Sequence, residues 1–209
     1  MRSVLSFFKE FKDNSMTVGS IFPSTSYLAE ALAKNLKTFE GPKRIIEIGP
    51  GTGPITEGIL KHVKPGDTFH LVEVNESFCE LLNKMAENEW KEQLEGVDFK
   101  VHCCFMEEIG LEHKFDFVIS GLPLNNFKSD VIQSILTGYQ NLLTDNGKLS
   151  YFEYLYVRKI KEKLNVALKR QVSMPKYKLL NSFVDAYQVD TDEVFLNFPP
   201  AIARHFAFR

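Results

Sequence analysis

Along the chain, short apolar runs alternate with stretches in which apolar residues recur every three or four positions, a pattern that predicts strands and helices in turn. Apolar runs rich in β-formers predict strands over 44–48, 68–74, 98–103, 115–120 and 148–156, and helical spacing fills 25–36, 53–63, 76–88 and 129–143. Ser24 is a reasonable N-cap for the first of these helices. The interval between the third and fourth strands is too short for a full crossover helix, and Asp145-Asn146-Gly147 is a turn leading into the fifth strand. Further on, Lys178 to Val189, Glu193 to Asn197 and Ile202 to Phe208 are rich in β-formers and are expected to contribute a final antiparallel pair. Strands alternating with helices imply an α/β fold: a doubly wound, mostly parallel sheet of seven strands with helices on both faces and an antiparallel C-terminal strand pair.

In such a sheet, ligands bind beyond the carboxyl ends of the strands, where strand order reverses. The first strand ends in Glu47-Ile48-Gly49-Pro50-Gly51-Thr52-Gly53 and runs through Pro54 into a helix. Gly49, Gly51 and Gly53 permit positive φ and close approach of a ligand to the backbone at the helix N-terminus. The second strand ends in Glu73, with Val74 beside it, at a spacing where an acid reaches a ribose diol. Together these describe a nucleoside pocket. Neither the GxGxxG spacing that seats a pyrophosphate nor the Gly-Lys-Ser/Thr of a P-loop is present. The Glu47 carboxylate repels a phosphate and favours a cation. The same strand-end rule selects Cys104 to Glu107, Ser120 to Asn126 and Tyr151 to Tyr156. Pro123 ends the fourth strand sharply and aims the preceding carbonyls at whatever lies above the sheet. His102, Cys103 and Cys104 have metal-binding chemistry. Adjacent cysteines on a strand face opposite sides, however, and no fourth ligand is evident, so they are expected to form a buried strand end and no metal is expected.

With 209 residues, 44% of them hydrophobic, the chain suits one domain with a substantial core. Three cysteines do not make a disulfide framework and point to a reducing compartment. No signal-peptide h-region and no run long enough to span a bilayer is present, so a cytoplasmic protein is expected. The net charge of −2 hides an asymmetry: Arg158 to Lys178 contains eight basic residues and one acid. Within it Val157, Ile160, Leu164 and Leu168 form an apolar stripe beside a basic face, suited to an anionic lipid surface, to a nucleic-acid backbone, or to an ordinary surface helix. Residues 1–13 form a second amphipathic piece, with Phe7, Phe8 and Phe11 interleaved by cations. It either lies flat in a membrane interface or folds back and packs Phe8 and Phe11 on a domain spanning 14–209.

The glycine loop resembles motif I of class I S-adenosylmethionine-dependent methyltransferases. Val18-Gly19-Ser20-Ile21-Phe22-Pro23-Ser24, the Glu47–Gly53 loop, Ser120-Gly121-Leu122-Pro123-Leu124 and Asn197-Phe198-Pro199-Pro200-Ala201 together resemble the soluble bacterial phospholipid N-methyltransferases, relatives of the ribosomal RNA adenine dimethylases. The resemblance implies a Rossmann-like methyltransferase domain, S-adenosylmethionine as cofactor and a lipid amine such as phosphatidylethanolamine as acceptor. It places Glu47 at the methionine ammonium, Glu73 and Val74 at the ribose, and Phe105 and Met106 against the adenine, where many relatives have an Asp; Glu107 is an alternative there. Ser120, Gly121 and Leu122, through their carbonyls, and Tyr154, which matches a family tyrosine, are the candidates for orienting the amine. The dimethylases carry Asn-Leu-Pro and an aromatic for base stacking, whereas this chain has Gly121 and Leu124, which argues against nucleic acid. Leu124-Asn125-Asn126 departs from the second leucine usual in the lipid enzymes. The implied enzyme is a peripheral monomer on the inner face of the membrane, held to anionic lipid by residues 1–13 and 158–178. RNA adenine N6-methylation and a non-catalytic S-adenosylmethionine-binding module are the alternatives.

Overall fold

The computed structural model describes residues 25–110, 114–155 and 174–208. Residues 1–13, the Val18–Ser24 motif, Tyr156 and the basic stretch from Arg158 to residue 173 lie outside the described residues.

Seven strands form a single sheet: β1 (Arg44–Ile48), β2 (Thr68–Glu73), β3 (Asp98–Cys103), β4 (Phe115–Ser120), β5 (Leu143–Tyr154), β6 (Gln188–Val194) and β7 (Ala201–Ala207). Their order is β3-β2-β1-β4-β5-β7-β6, with β1 to β5 parallel and β7 antiparallel to both of its neighbours. The expected architecture is therefore present. The order reverses between β1 and β4, which opens a crevice beyond Ile48 and Ser120.

Both faces of the sheet are covered, so β1 carries Ile45, Ile46 and Ile48 without polar alternation and buries Glu47 among them. On one face α1 (Ser26–Leu32), α2 (Pro54–Leu60) and α3 (Glu76–Glu87) cover Ile45, Phe69, Leu71, Phe117, Ile119 and Phe152. On the other, α4 (Ser129–Leu142) and α5 (Met174–Tyr187) cover Val72, Val118, Leu149, Tyr151 and Phe206. Among the described residues, the β3–β4 connection carries a 3-10 turn, Met106–Glu108, in keeping with its short length.

Some sequence expectations are corrected. The segment from Lys178 to Val189 is mainly helix: α5 places Tyr177, Leu180, Phe183, Val184 and Tyr187 on one face at helical spacing, with Phe183 against Phe206 and Phe208. Its aromatics read as β-formers in isolation, and tertiary packing overrides that propensity. The antiparallel pair is β6 with β7, and residues 195–200 form the turn between them. The N-cap of α1 is Thr25, whose Oγ1 accepts from the Leu28 amide. Strand β5 begins early, at Leu143, and Asp145-Asn146-Gly147 lies within the register shift that opens it. Cys79, on the first turn of α3, and Cys103, at the end of β3, have Cα atoms 5.9 Å apart and are joined as a disulfide; only Cys104 is free.

Buried polar groups tie the C-terminal strands to the first helical layer. His205 of β7 is fully buried, with Nδ1 2.8 Å from Ser150 Oγ and Nε2 3.0 Å from Asp192 Oδ2. Burial lowers its pKa, so the ring is neutral near pH 7. Asp192 and Asp190 both pair with Lys34, just beyond α1.

Candidate active site

Register brings the functional strand ends level: Ile48 pairs with Val72 and with Ser120, and Ser120 pairs with Tyr151. The glycine loop rises from the centre of this edge. Gly49, Gly51 and Gly53 all have positive φ (71°, 58° and 89°), so this loop needs residues without a Cβ. Gly49 N–H donates to Val72 O at 2.9 Å, and Gly121 N–H to Ile48 O at 2.9 Å, locking the loops after β1 and β4 together. The approach is close: a Cβ on Gly49 would lie 2.5 Å from the Leu122 side chain, and one on Gly121 would lie 2.6 Å from the Gly49 carbonyl.

Two buried carboxylates flank the loop. Glu47 has no exposed surface; its Oε2 accepts from Thr56 Oγ1 at 2.7 Å, and its Oε1 is buried with no partner among the described residues. Burial pushes its pKa up to about 8, opposed by the Thr56 hydrogen bond and assisted by the nearby Glu73 charge. Glu73 closes the other side. Its Oε2 accepts from Gly51 N at 3.1 Å, and its Oε1 accepts from Val74 N at 2.8 Å and Asn75 N at 2.9 Å. Desolvation raises its pKa, with the three backbone donors working against the rise. An unpaired, buried carboxylate oxygen is costly to leave unmatched. Its chemistry fits a ligand that brings its own cationic donor, and the spare lone pairs of Glu73 fit hydroxyl donors.

The remaining candidates are placed as follows. Phe105 is half-buried at the start of the 3-10 turn, where its N–H donates to Glu108 Oε2 at 3.1 Å. Met106 is buried, and its thioether fills the space that a side chain on Gly138 of α4 would need. Glu107 is exposed. Ser120 is fully buried and its hydroxyl points to α4, 2.6 Å from Tyr139 Oη, while accepting from Leu122 N at 3.1 Å. This hydroxyl therefore shapes the Gly121-Leu122 turn from below. The Leu122 carbonyl already accepts from Leu124 N at 2.9 Å. Tyr154, half-buried at the end of β5, packs edge-on to Phe152 on the opposite face of the sheet, and no hydrogen bond engages its hydroxyl among the described residues. Burial raises its pKa. The Ser120–Leu122 turn and Tyr154 thus share one end of the sheet without touching through a hydrogen bond.

Several supporting residues escape sequence reasoning. Thr56 and Tyr139 are ordinary helix residues in the sequence, yet one holds Glu47 and the other Ser120. Trp90 lies over Gly53, 3.0 Å from where a Cβ would sit. On β5, Tyr151 Oη donates to Glu153 Oε1 at 3.2 Å, and Arg204 Nε lies 3.6 Å from the same oxygen. A polar cleft of about 530 Å³, lined by Asn35, Asp116, Asp145 and Lys148, lies at the opposite end of β4 and β5.

A doubly wound sheet with this strand order, a glycine loop after β1 and an acid ending β2 defines a class I methyltransferase-type domain. Residues 18–179 match the family model of the methyltransferase small domain, and the chain belongs to that family. An ornithine lipid N-methyltransferase from Singulisphaera acidiphila is 26% identical over 147 residues, which is 70% of this chain and 76% of that protein. The fold is shared with the 1,6-didemethyltoxoflavin-N1-methyltransferase of Burkholderia thailandensis, solved with its substrate and S-adenosylhomocysteine (TM-score 0.62, 16% identity, 98% of this chain and 87% of that one). It is also shared with the N-methyltransferase NodS of Bradyrhizobium japonicum, solved with S-adenosylhomocysteine (TM-score 0.55, 11% identity, 86% and 82%).

Proposed function

We propose that this methyltransferase uses S-adenosylmethionine to methylate the amine of a membrane lipid head group, of the phosphatidylethanolamine or ornithine-lipid kind. The observation that carries the reading is the unpaired Oε1 of Glu47, buried beside a glycine loop that also holds a second carboxylate. The lipid acceptor is supported by the curated relative and by the Ser120-Gly121-Leu122-Pro123-Leu124 block.

When bound, S-adenosylmethionine supplies a methyl group made electrophilic by its sulfonium. Glu47 would hold the ammonium, whose N–H would supply Oε1 with the donor it lacks among the described residues. Glu73, held rigid by three backbone amides, takes the ribose hydroxyls. The acceptor is an amine with a pKa near 10, and it attacks only after losing its proton. The desolvated end of the sheet lowers the cost of that loss by disfavouring the ammonium. The carbonyls of the Ser120–Leu122 turn, that of Leu122 through the lone pair left over from its bond to Leu124 N, would accept the remaining N–H bonds and aim the lone pair of the amine. The raised pKa of Tyr154 keeps it a neutral phenol, so it orients the amine and does not act as a base. These residues would hold and orient the amine beside the bound cofactor, with its proton passing to water, and orientation would supply much of the rate.

The test is transfer of labelled methyl from S-adenosylmethionine to mixed vesicles containing phosphatidylethanolamine, to vesicles containing ornithine lipid, and to a ribosomal RNA fragment. Label on a lipid amine is the expected result. Label on the RNA alone, or on none of the three, overturns the reading.

A further inference from the structure

Large apolar side chains exposed among the described residues are Tyr27, Phe39, Leu81, Val189, Phe195, Leu196 and Phe198, and three of these fall within four consecutive residues at the β6–β7 turn. Phe195, Leu196 and Phe198 are 60%, 67% and 70% exposed, whereas the polar residue among them, Asn197, is 3% exposed. The usual burial order is inverted here. Its cause is Asn197 itself: Oδ1 accepts from Thr25 N at 3.0 Å and Nδ2 donates to Pro199 O at 2.7 Å, so the amide points inward and its neighbours point out. Pro199 and Pro200 follow, and Leu155 N–H donates to Pro200 O at 2.7 Å, which fastens the turn to the end of β5.

The position of this turn matters as much as its composition. Tyr154 pairs with Ala201, so the tip projects from the same end of the sheet as Tyr154 and the Ser120–Leu122 turn. A head-group amine bound there remains attached to acyl chains that lie in a bilayer, so that bilayer comes within one head-group length of this edge. Apolar side chains on a braced projecting turn at that edge face the acyl boundary. A solvent-facing role leaves their exposure unexplained.

We propose that the Phe195–Phe198 tip is an apolar finger that inserts into the lipid interface beside the acceptor entrance and sets the enzyme over its substrate. The proposal rests on the lipid-amine reading for its orientation. Hydrogen bonds through Asn197 and Pro200 brace the finger before it meets the membrane, so insertion should order little of the chain and most of the buried apolar area should go into binding.

The test compares the full-length protein with the triple variant Phe195→Ser, Leu196→Ser and Phe198→Ser. Co-sedimentation uses vesicles of phosphatidylethanolamine and phosphatidylglycerol. Turnover is measured on those vesicles and on a short-chain phosphatidylethanolamine kept monomeric in solution. The expected result is a fall of at least about tenfold in vesicle affinity and in bilayer turnover, with monomeric turnover and cofactor affinity unchanged. As a second readout, Leu196→Trp should show a blue-shifted emission on adding vesicles that is quenched by lipids brominated near the head group. Unchanged vesicle affinity of the triple variant together with an unshifted Leu196→Trp emission overturns the proposal. So does conversion of a dimer to a monomer by the triple variant, since the finger would then cover a second copy of the chain. If the wild type binds vesicles through the finger but methylates neither form of the lipid, the substrate reading fails and the finger stands.

Discussion

Glu47 should release a proton when the cofactor binds. Its pKa in the free protein is pushed up to about 8 by burial, so at pH 7 only about one tenth of the molecules carry the carboxylate. A ligand ammonium needs the charged form. Binding at pH 7 should therefore release about 0.9 proton from this group, and the ratio of wild-type to Glu47→Gln affinity should rise about eightfold from pH 7 to pH 8.5 before it flattens. Ionising the group at pH 7 costs about 1.4 kcal/mol, against about 1.5–3 kcal/mol for a charge-assisted hydrogen bond. Glu47→Gln should thus lose about 1.5–3 kcal/mol of binding at pH 9 and about 1.4 kcal/mol less than that at pH 7. The assay is titration calorimetry at pH 6, 7, 8 and 9 in buffers of high and low ionisation heat. The ligand's own amine titrates equally with both proteins, so the wild type minus Glu47→Gln difference isolates this carboxyl. Heats independent of buffer at pH 7, or the same buffer dependence in the variant, refute the reasoning. The free protein offers a companion test. The folded pKa lies above the ordinary value of 4.5, so the folded state holds one more proton than the unfolded chain between the two. Stability from this group should fall as pH rises from about 4.5 to about 8 and stay level above, and Glu47→Gln should remove that slope.

Glu73→Ala should weaken S-adenosylmethionine binding about tenfold or more by calorimetry, and it should lower the thermal midpoint further than Glu73→Gln, because three backbone N–H groups lose their acceptor. Gly121→Ala puts a methyl 2.6 Å from the Gly49 carbonyl; the two loops should part at a cost of about 1–3 kcal/mol in chemical unfolding, with turnover falling more than stability. Tyr154→Phe removes a hydroxyl that no hydrogen bond engages among the described residues, so kcat/KM should fall roughly tenfold while stability by chemical unfolding changes by less than about 0.5 kcal/mol.

The glycine loop and the acid-ended second strand, where the cofactor is proposed to bind, were legible as structure because each is a local signal. An apolar run into three glycines, and a second run ending in an acid, are contiguous in sequence and lie side by side in the sheet. The chemistry of Glu47 was less legible, because its raised pKa depends on complete burial and on Thr56, which no spacing rule singles out. Ser120 was chosen for its carbonyl, and its hydroxyl proved to be a support bonded to Tyr139, on a helix 19 residues away. The part of α5 from Lys178 onward was misread because Phe183, Val184 and Tyr187 favour strands by type while their spacing favours a helix, and the packing of Phe183 on Phe206 decides between them. The outward display of Phe195, Leu196 and Phe198 depends on a hydrogen bond between residues 172 positions apart, beyond any local reading.

The strand order also dictates a schedule for folding. β7 lies between β5 and β6, yet it follows both in the chain, so β6 has no place in the sheet until β7 has been made and inserted. On the ribosome the parallel block β3-β2-β1-β4, with its glycine loop, can close while the acceptor side still lacks its border. The Thr25–Asn197 contact, among the longest-range in the molecule, has to wait for that insertion. Contacts of such sequence separation form slowly, and until they do β5 presents an open edge. The β3-β2-β1-β4 block is therefore expected to close before β7 and β6 dock, and the interval with β5 open is when the nascent chain should most need shielding from its neighbours.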